Sequence, residues 1–428
     1  MNFRYTRRRF STLLGGSGLA LSMASHSPFI GARARAHIVI IGGGPAGLGV
    51  ARRLTKDKQL QVSLVEPQQT YSSCFSSNLV LTGLRRPDYI QHHYGSKILE
   101  TGVRHIRLRA VDVDDSKRKV ILADGSHLPF DRLVVAPGIS FQTEAIEGYD
   151  TAAMTRMPHA YRGGKQLANL QSQLKAMPDG GLFIIAPPVN PFRCPPAPYE
   201  RASLVAEYFQ RHKPKSKILI IDAKNKHSKQ SLFQEGWDRF YPDMIEWLPA
   251  EMTGGGIRSI DAKKMMVRTE DEEFKAEVIN LIPAQRAAQV AHQFGLTDQT
   301  GWCPVNPMTL NSMQRNQVYV VGDSIHPGDM PKSAFAALSQ AHVCAAAIIA
   351  DLRELPPPVP AYASVCWSYL RSGHAVKVGA DYEVSKGEIR RIHPFISDLD
   401  ENDDLRAKQA REAVDWYDRT IRSLFVKM

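Results

Sequence analysis

Short runs of β-branched and aliphatic residues, each ending at a turn former, recur along the chain. His37–Ile41 runs into Gly42-Gly43-Gly44-Pro45-Ala46-Gly47 and then into helical spacing through about Leu54. Gln61–Val65 follows and ends at Glu66. Apolar runs this short, bounded by Gly or Pro, fit strands buried on both faces, as in parallel sheets. Phe130–Val135 before Ala136-Pro137-Gly138, and Gln317–Val321 before Gly322-Asp323, repeat the pattern. So do Gly181–Ala186 and Lys217–Ile221. Strand and helix patterns in alternation predict an α/β fold with two Rossmann-like lobes. The first lobe is expected to be split, 37–145 and 285–355, with the second at 146–284. A Pro-rich connection, Pro356 to Pro360, then leads to a C-terminal α+β domain, 356–428. It is expected to hold a strand near Ala375–Val384 and an amphipathic helix around Leu405–Leu424. The charged segment Asp398–Asp404 is expected to be a solvated loop, and no repeat beyond the two lobes is evident.

Charge changes this picture at one end only. The formal net charge of +11 suggests a polyanionic partner, but residues 1–36 hold six Arg and no Lys, Asp or Glu, and without them it is +5. That balance, with no basic stripe with interleaved aromatics, gives no support to a nucleic-acid-binding reading, and no nucleic-acid partner is expected. Thr6-Arg7-Arg8-Arg9-Phe10, a weakly apolar stretch from Ser11 to Ala24, and Ala34-Arg35-Ala36 read as a cleavable export signal. The paired arginines resemble a twin-arginine signal, which carries folded proteins, so a periplasmic location is expected. The apolar stretch is short and rich in Gly and Ser for a bilayer span. No other stretch is expected to cross, so no stable membrane insertion is expected.

The turn after the first strand carries chemistry. Gly42, Gly44 and Gly47 stand at G-x-G-x-x-G spacing between strand and helix, with Glu66 19 residues beyond the last. Glycines there let a pyrophosphate approach the backbone at a helix N-terminus, and the acid accepts hydrogen bonds from a ribose. Pro137 and Gly138 end a strand resembling the second dinucleotide segment of two-dinucleotide flavoproteins, with Pro137 in the place of Thr. Gly322 and Asp323 resemble the segment whose Asp binds the FAD ribitol. The helix from Lys332 to Ala350 is then expected to aim its N-terminus at the flavin's pyrimidine edge, where positive potential favours the anionic reduced flavin. FAD is the cofactor this implies. The strand 181–186 instead enters Pro187-Pro188, and prolines remove the N–H donors a second phosphate site needs. NAD(P)H is therefore not expected.

Several blocks carry a closer resemblance. They are Gly42–Gly47, Tyr71-Ser72-Ser73-Cys74, Ala186-Pro187-Pro188 and Pro191-Phe192-Arg193-Cys194-Pro195-Pro196-Ala197-Pro198-Tyr199-Glu200. Ser228-Lys229-Gln230-Ser231, Asn280–Pro283, Gly301–Pro304 and Met330–Ser333 continue the match. Together they resemble the flavoprotein subunit of flavocytochrome c sulfide dehydrogenase, a relative of the sulfide:quinone oxidoreductases, over residues 37 to about 425. The Arg-Cys-Pro-Pro block is its most specific piece. The resemblance implies sulfide as substrate and a separate c-type cytochrome subunit as acceptor. A thiosulfate-oxidation-system flavoprotein and a quinone-reducing enzyme are the nearest alternatives. A non-catalytic flavin-binding assembly protein is the alternative of another class.

The five cysteines are an odd count for an exported chain. None lies in Cys-x-x-Cys-His, and no spacing suits zinc, so no metal site is expected. Cys74 reads either as a buried structural cysteine or, by the resemblance, as a thioether to the flavin. Cys194 and Cys366 form, by the resemblance, a disulfide over the flavin ring, against the alternative of a structural bridge. Hydrosulfide would open that disulfide by thiol–disulfide exchange and the released electrons would reach the flavin. Cys303 and Cys344 read as structural. Glu200 is either a proton carrier beside Cys194 or an acid placed at a helix N-terminus. Lys332 reads either as a cation holding the flavin or as a surface lysine. Trp416 and Tyr417 lie, by resemblance, near the flavin, or form a packing pair. Arg406, Lys408, Arg411, Arg419 and Arg422 suggest a solvent- or protein-facing final helix.

Overall fold

The computed structural model describes residues 35–95 and 101–426; the expected export signal lies almost wholly outside them, and nothing structural follows for it. The apolar runs form parallel strands. Ala36–Ile41 sits between Leu60–Val65 and Arg132–Val135, and Val318–Val320 and Val103–Ile106 flank these. The five-stranded sheet is thus built from segments nearly 300 residues apart. Ile38, Val39, Ile40, Leu133, Val134 and Val320 are each 0% exposed, which explains why these strands read as unbroken apolar runs.

The helix Pro45–Leu54 packs against the long helix Ala334–Leu352. Gly49 makes that contact possible: a Cβ there would stand 2.8 Å from the Ala341 Cβ. Ala334–Leu352 is long and apolar enough to cross a membrane, contrary to expectation. Its apolarity has another reason, because it is packed between the helix Pro45–Leu54 and the strand Tyr362–Arg371, with Ala341, Cys344 and Ile348 each 0% exposed.

A second parallel sheet orders Ile245–Leu248, Lys217–Ile221, Leu182–Ala186 and Val278–Leu281. After the Pro-rich connection, three antiparallel strands follow, Tyr362–Arg371, His374–Ser385 and Glu388–Ile396. The helix Asp403–Phe425 packs on the first two. It starts earlier than the pattern suggests because Asn402 caps it, its side chain accepting from the Leu405 N–H at 2.9 Å. Asp403 and Asp404 therefore open a helix rather than close a loop. Arg406 is a second departure. It is 0% exposed, bonded to Glu401 at 2.9 Å and the Asp398 carbonyl at 2.8 Å, and so is a buried tie rather than a surface charge.

Candidate functional site

The first crevice is set by three glycines with three different reasons. Gly42 has φ +99°, and a Cβ on it would stand 2.3 Å from the Ala136 carbonyl oxygen. Gly47, in the first turn of the helix, lies so close to the preceding turn that a Cβ on it would stand 1.9 Å from the Gly42 oxygen. At Gly44, the N-cap of the same helix, a Cβ would meet nothing within 4 Å. That open space belongs to a cavity of about 590 Å³ walled also by Glu66, Cys74, Pro137, Gly138, Gly322 and Asp323. Glu66 faces it with its carboxylate fixed, Oε2 accepting from the Gly43 N–H at 3.0 Å and Oε1 from the Gln68 N–H at 2.9 Å. A helix N-terminus with no side chain over it, a fixed acid and a cavity of this size fit a dinucleotide. The residues present therefore suit FAD.

Cys74, Arg193 and Cys194 line the same cavity. The Cys74 thiol donates to the Tyr161 carbonyl at 2.9 Å and accepts from Arg193 Nη1 at 3.4 Å. Arg193 Nε also donates to Asp323 Oδ2 at 2.7 Å. Burial works against the Arg193 charge, but the fields of Cys74 and Asp323 outweigh it and its pKa rises. Asp323 thus faces the cavity paired to an arginine. Lys332 stands one step behind. It is 4% exposed, donates to the Asp323 and Ile325 carbonyls at 2.9 and 2.7 Å, and lies 3.5 Å over the Trp302 ring. Burial lowers its pKa to about 7. It is neither a surface lysine nor a wall of the cavity, and it braces the loop that presents Asp323.

Cys194 holds a left-handed conformation, φ +52°, and its N–H donates to the Lys332 carbonyl at 2.7 Å. Three residues later the helix Ala197–His212 begins, with Glu200 in its first turn. Cys366 lies on the strand Tyr362–Arg371, and close by the hydroxyls of Ser333 and Ser364 face each other at 3.4 Å. All five cysteines are free thiols, so the disulfide the resemblance implies is not formed here. Even so, Cys194 and Cys366 share one electrostatic cluster: burial pushes the Cys194 thiol up, and the neighbouring Cys366 and Glu200 push it further. Burial likewise raises Glu200, to about 7, against the opposing pull of Lys229. Cys303 and Cys344 are each 0% exposed.

Lys229 is the residue that pattern reading missed. It is 6% exposed, and its ammonium donates to the Cys366 carbonyl at 3.0 Å and to Ser368 Oγ at 2.8 Å. The tetrapeptide 228–231 belongs to the resemblance, but nothing in its pattern marks this lysine as buried. Arg201 was missed too. It is 1% exposed and bonds Asn78 Oδ1 at 3.0 Å, Asn280 Oδ1 at 2.6 Å and the His159 and Ala160 carbonyls at 3.2 and 3.1 Å. That network fixes the loop whose Tyr161 carbonyl meets Cys74. Trp416 and Tyr417 join an aromatic cluster with Phe75, a cavity-lining residue, at ring separations of 5.6 and 5.3 Å. Among the described residues no group of His, Cys, Asp or Glu is arranged to hold a metal.

Three segments of the chain match known protein families. Residues 167–283 match the central domain of the sulfide dehydrogenase [flavocytochrome c] flavoprotein chain. Residues 358–425 match the flavocytochrome c sulphide dehydrogenase flavin-binding domain, and 36–173 the pyridine nucleotide-disulphide oxidoreductase domain. The mitochondrial sulfide:quinone oxidoreductase of Mus musculus is 20% identical over 67% of this chain and 65% of its own length. The chain thus spans about two thirds of that relative. The Dictyostelium discoideum counterpart is 21% identical over 82% of this chain and 80% of its own. The fold resembles the solved sulfide:quinone oxidoreductase of Aquifex aeolicus, with TM-score 0.75, 16% identity, and 91% and 92% of the two chains covered. The chain is thus similar to FAD/disulfide oxidoreductases of the sulfide:quinone oxidoreductase type, and segments of it match the flavocytochrome c sulfide dehydrogenase flavoprotein domains.

Proposed function

We propose that this protein is the flavoprotein of a periplasmic sulfide dehydrogenase, with FAD attached through Cys74 and electrons passed on to a separate c-type cytochrome. The observation that carries the reading is the cluster of half-buried Cys194, Cys366 and Glu200 with the buried Lys229, Cys194 also being in the wall of the dinucleotide cavity. FAD supplies a two-electron acceptor when bound. The chain's own residues do the rest. When the cysteines are joined, hydrosulfide opens the disulfide and leaves one sulfur as a persulfide and the other as a thiolate. Glu200, held near neutrality in its pKa, takes or returns the proton. The backbone of 42–47 and Glu66 hold the dinucleotide, and Arg193 fixes Cys74 and Asp323 together at the cavity wall.

A cytochrome acceptor has the support of the two flavocytochrome domain matches, while the relatives named above carry quinone in their names. Two measurements decide. Acid precipitation followed by peptide mass analysis is expected to leave flavin on the Cys74 peptide; flavin released into the supernatant removes the thioether. Sulfide-dependent reduction of an added c-type cytochrome, with no faster turnover of a soluble quinone analogue, is the expected acceptor profile. The reverse preference transfers the reading to a quinone-reducing enzyme.

A further inference from the structure

The two sulfurs of the Cys194–Cys366 pair do not have equivalent surroundings. Cys366 has a cation tied to its own backbone. Lys229, from the N-cap of the helix Gln230–Phe240, is bonded to the Cys366 carbonyl at 3.0 Å. Lys229 reaches that place only by adopting a left-handed backbone, φ +59°, unusual for a residue with a side chain. A buried lysine needs an anion beside it. Two of its three N–H groups go to Cys366 O and Ser368 Oγ, both neutral. Its negative neighbours are Cys366, Glu200 and Cys194, with Cys366 the strongest, and no other carboxylate is bonded to it among the described residues. Cys194 has no hydrogen-bonded tie to Lys229: the lysine lowers its thiol too, but acts on Cys194 more weakly than on Cys366, and Cys366 and Glu200 push the Cys194 thiol up.

We propose that Lys229 makes Cys366 the sulfur that leaves as a thiolate, so that Cys194 receives the incoming sulfur. This rests on the sulfide reading above. HS⁻ attacks Cys194 Sγ; the bond between the incoming sulfur and Cys194 forms, and the Cys194–Cys366 bond breaks. The electron pair of the broken bond stays on Cys366. The single negative charge moves from hydrosulfide to Cys366, and the proton remains on the terminal sulfur of the Cys194 persulfide until Glu200 removes it. The charged and titratable groups around the thiolate are Lys229, Glu200, Cys194 and Tyr382, the last from the neighbouring strand. Lys229 alone among them is a cation. Lys229 is a positioning residue: it acts through Cys366 by holding negative charge there.

The test has two arms on the flavin-loaded protein. In the first, the reduced protein is pulsed with iodoacetamide across a pH series, and each cysteine peptide is quantified by mass spectrometry relative to its own plateau. Cys366 is expected to show the lower midpoint. Lys229→Met should raise that midpoint by about one unit, a tenfold loss of thiolate below it, and Lys229→Arg should restore it. A merely structural lysine would leave the midpoint in place. If Lys229→Met does not fold, Lys229→Gln, which keeps a polar head in the same place, should raise the same midpoint. A lower midpoint at Cys194, or a Cys366 midpoint unmoved by these variants, overturns the proposal. In the second arm, oxidised protein is mixed briefly with sulfide and quenched. Added sulfur on the Cys194 peptide is the expected result, and added sulfur on Cys366 overturns it. Added sulfur on neither cysteine sinks the sulfide reading itself, and the alkylation midpoints then still decide which sulfur is the stabilised thiolate.

Discussion

Two crevices of similar topology have opposite contents. Each lies at the carboxyl ends of parallel strands, where α/β folds gather ligands. In the first, the strand Ala36–Ile41 ends in glycines, Gly44 opens on empty space, and the acid at the next strand end, Glu66, faces the cavity. In the second, the strand Leu182–Ala186 ends in Pro187-Pro188, and the acid at the next strand end, Asp222, is 0% exposed. Asp222 accepts from Tyr199 Oη at 2.5 Å, Trp247 Nε1 at 3.0 Å and Lys224 Nζ at 2.5 Å. His227 then stacks on Tyr199 with ring centroids 3.7 Å apart. The backbone architecture supplies a crevice in both lobes, and side chains decide whether it takes a ligand or closes on itself. The closed crevice delivers a different product, since the helix that carries Tyr199 also carries Glu200 and follows Cys194 directly.

The largest expected effect is at that junction. Cys194→Ser should cut sulfide-driven flavin reduction by on the order of 10³-fold, because no disulfide is left for hydrosulfide to open, while flavin content stays unchanged. Stopped-flow absorbance checks it, and an undiminished rate removes Cys194 from the reaction. Glu200→Gln should cost about 10²-fold, the usual worth of a placed acid–base group. Burial has raised the Glu200 pKa to about 7, so the group is an ionised base only above that pH. The ratio of wild-type to variant rates, in which the ionisation of sulfide cancels, should therefore rise as pH increases through about 7. A flat ratio assigns Glu200 to packing.

Smaller effects separate the two crevices. Gly44→Leu places a side chain in the open cradle and should lower flavin occupancy about tenfold or more, equivalent to about 1.4 kcal/mol. The melting of the apoprotein should barely move, because a Cβ there touches nothing within 4 Å. Full flavin loading in this variant would mean that the cofactor does not pass Gly44. Tyr199→Phe removes one of the bonds to the buried Asp222 and should destabilise the protein by about 1.5 kcal/mol in denaturant unfolding, leaving flavin occupancy untouched. An unchanged midpoint would show that Asp222 does not need its phenol donor.

These contrasts also show what the sequence could and could not reveal. The strands at 37–41, 61–65, 181–186 and 217–221 were legible because strands covered on both faces must be apolar throughout, and Gly42, Gly44 and Gly47 because a tight turn before a helix leaves no room for side chains. The helix at 334–352 was legible as a helix but not as a membrane-like one, since its apolar character comes from being wrapped by protein on several sides. Charged residues were the blind spot. Arg201, Lys229, Lys332 and Arg406 are 1, 6, 4 and 0% exposed, yet each has the local sequence of a surface cation. Their burial depends on acceptors far away in the chain: Asn280 for Arg201, the Cys366 carbonyl for Lys229, Glu235 for Arg406. Local periodicity carries no record of such partners. Asp323 shows the same limit from the acidic side, its strand end being readable while its pairing with Arg193 was not.

The central claim is that one open crevice and one thiol cluster form a single sulfide-oxidising site, while the closed crevice takes no nicotinamide cofactor. Anaerobic titration of the flavin-loaded protein, first with NADH and then with sulfide, tests it most directly through the flavin absorbance. The expected result is no bleaching by NADH and full bleaching by sulfide. Bleaching by NADH, or a flavin that sulfide leaves oxidised while Cys194 and Cys366 are disulfide-bonded, would contradict the account.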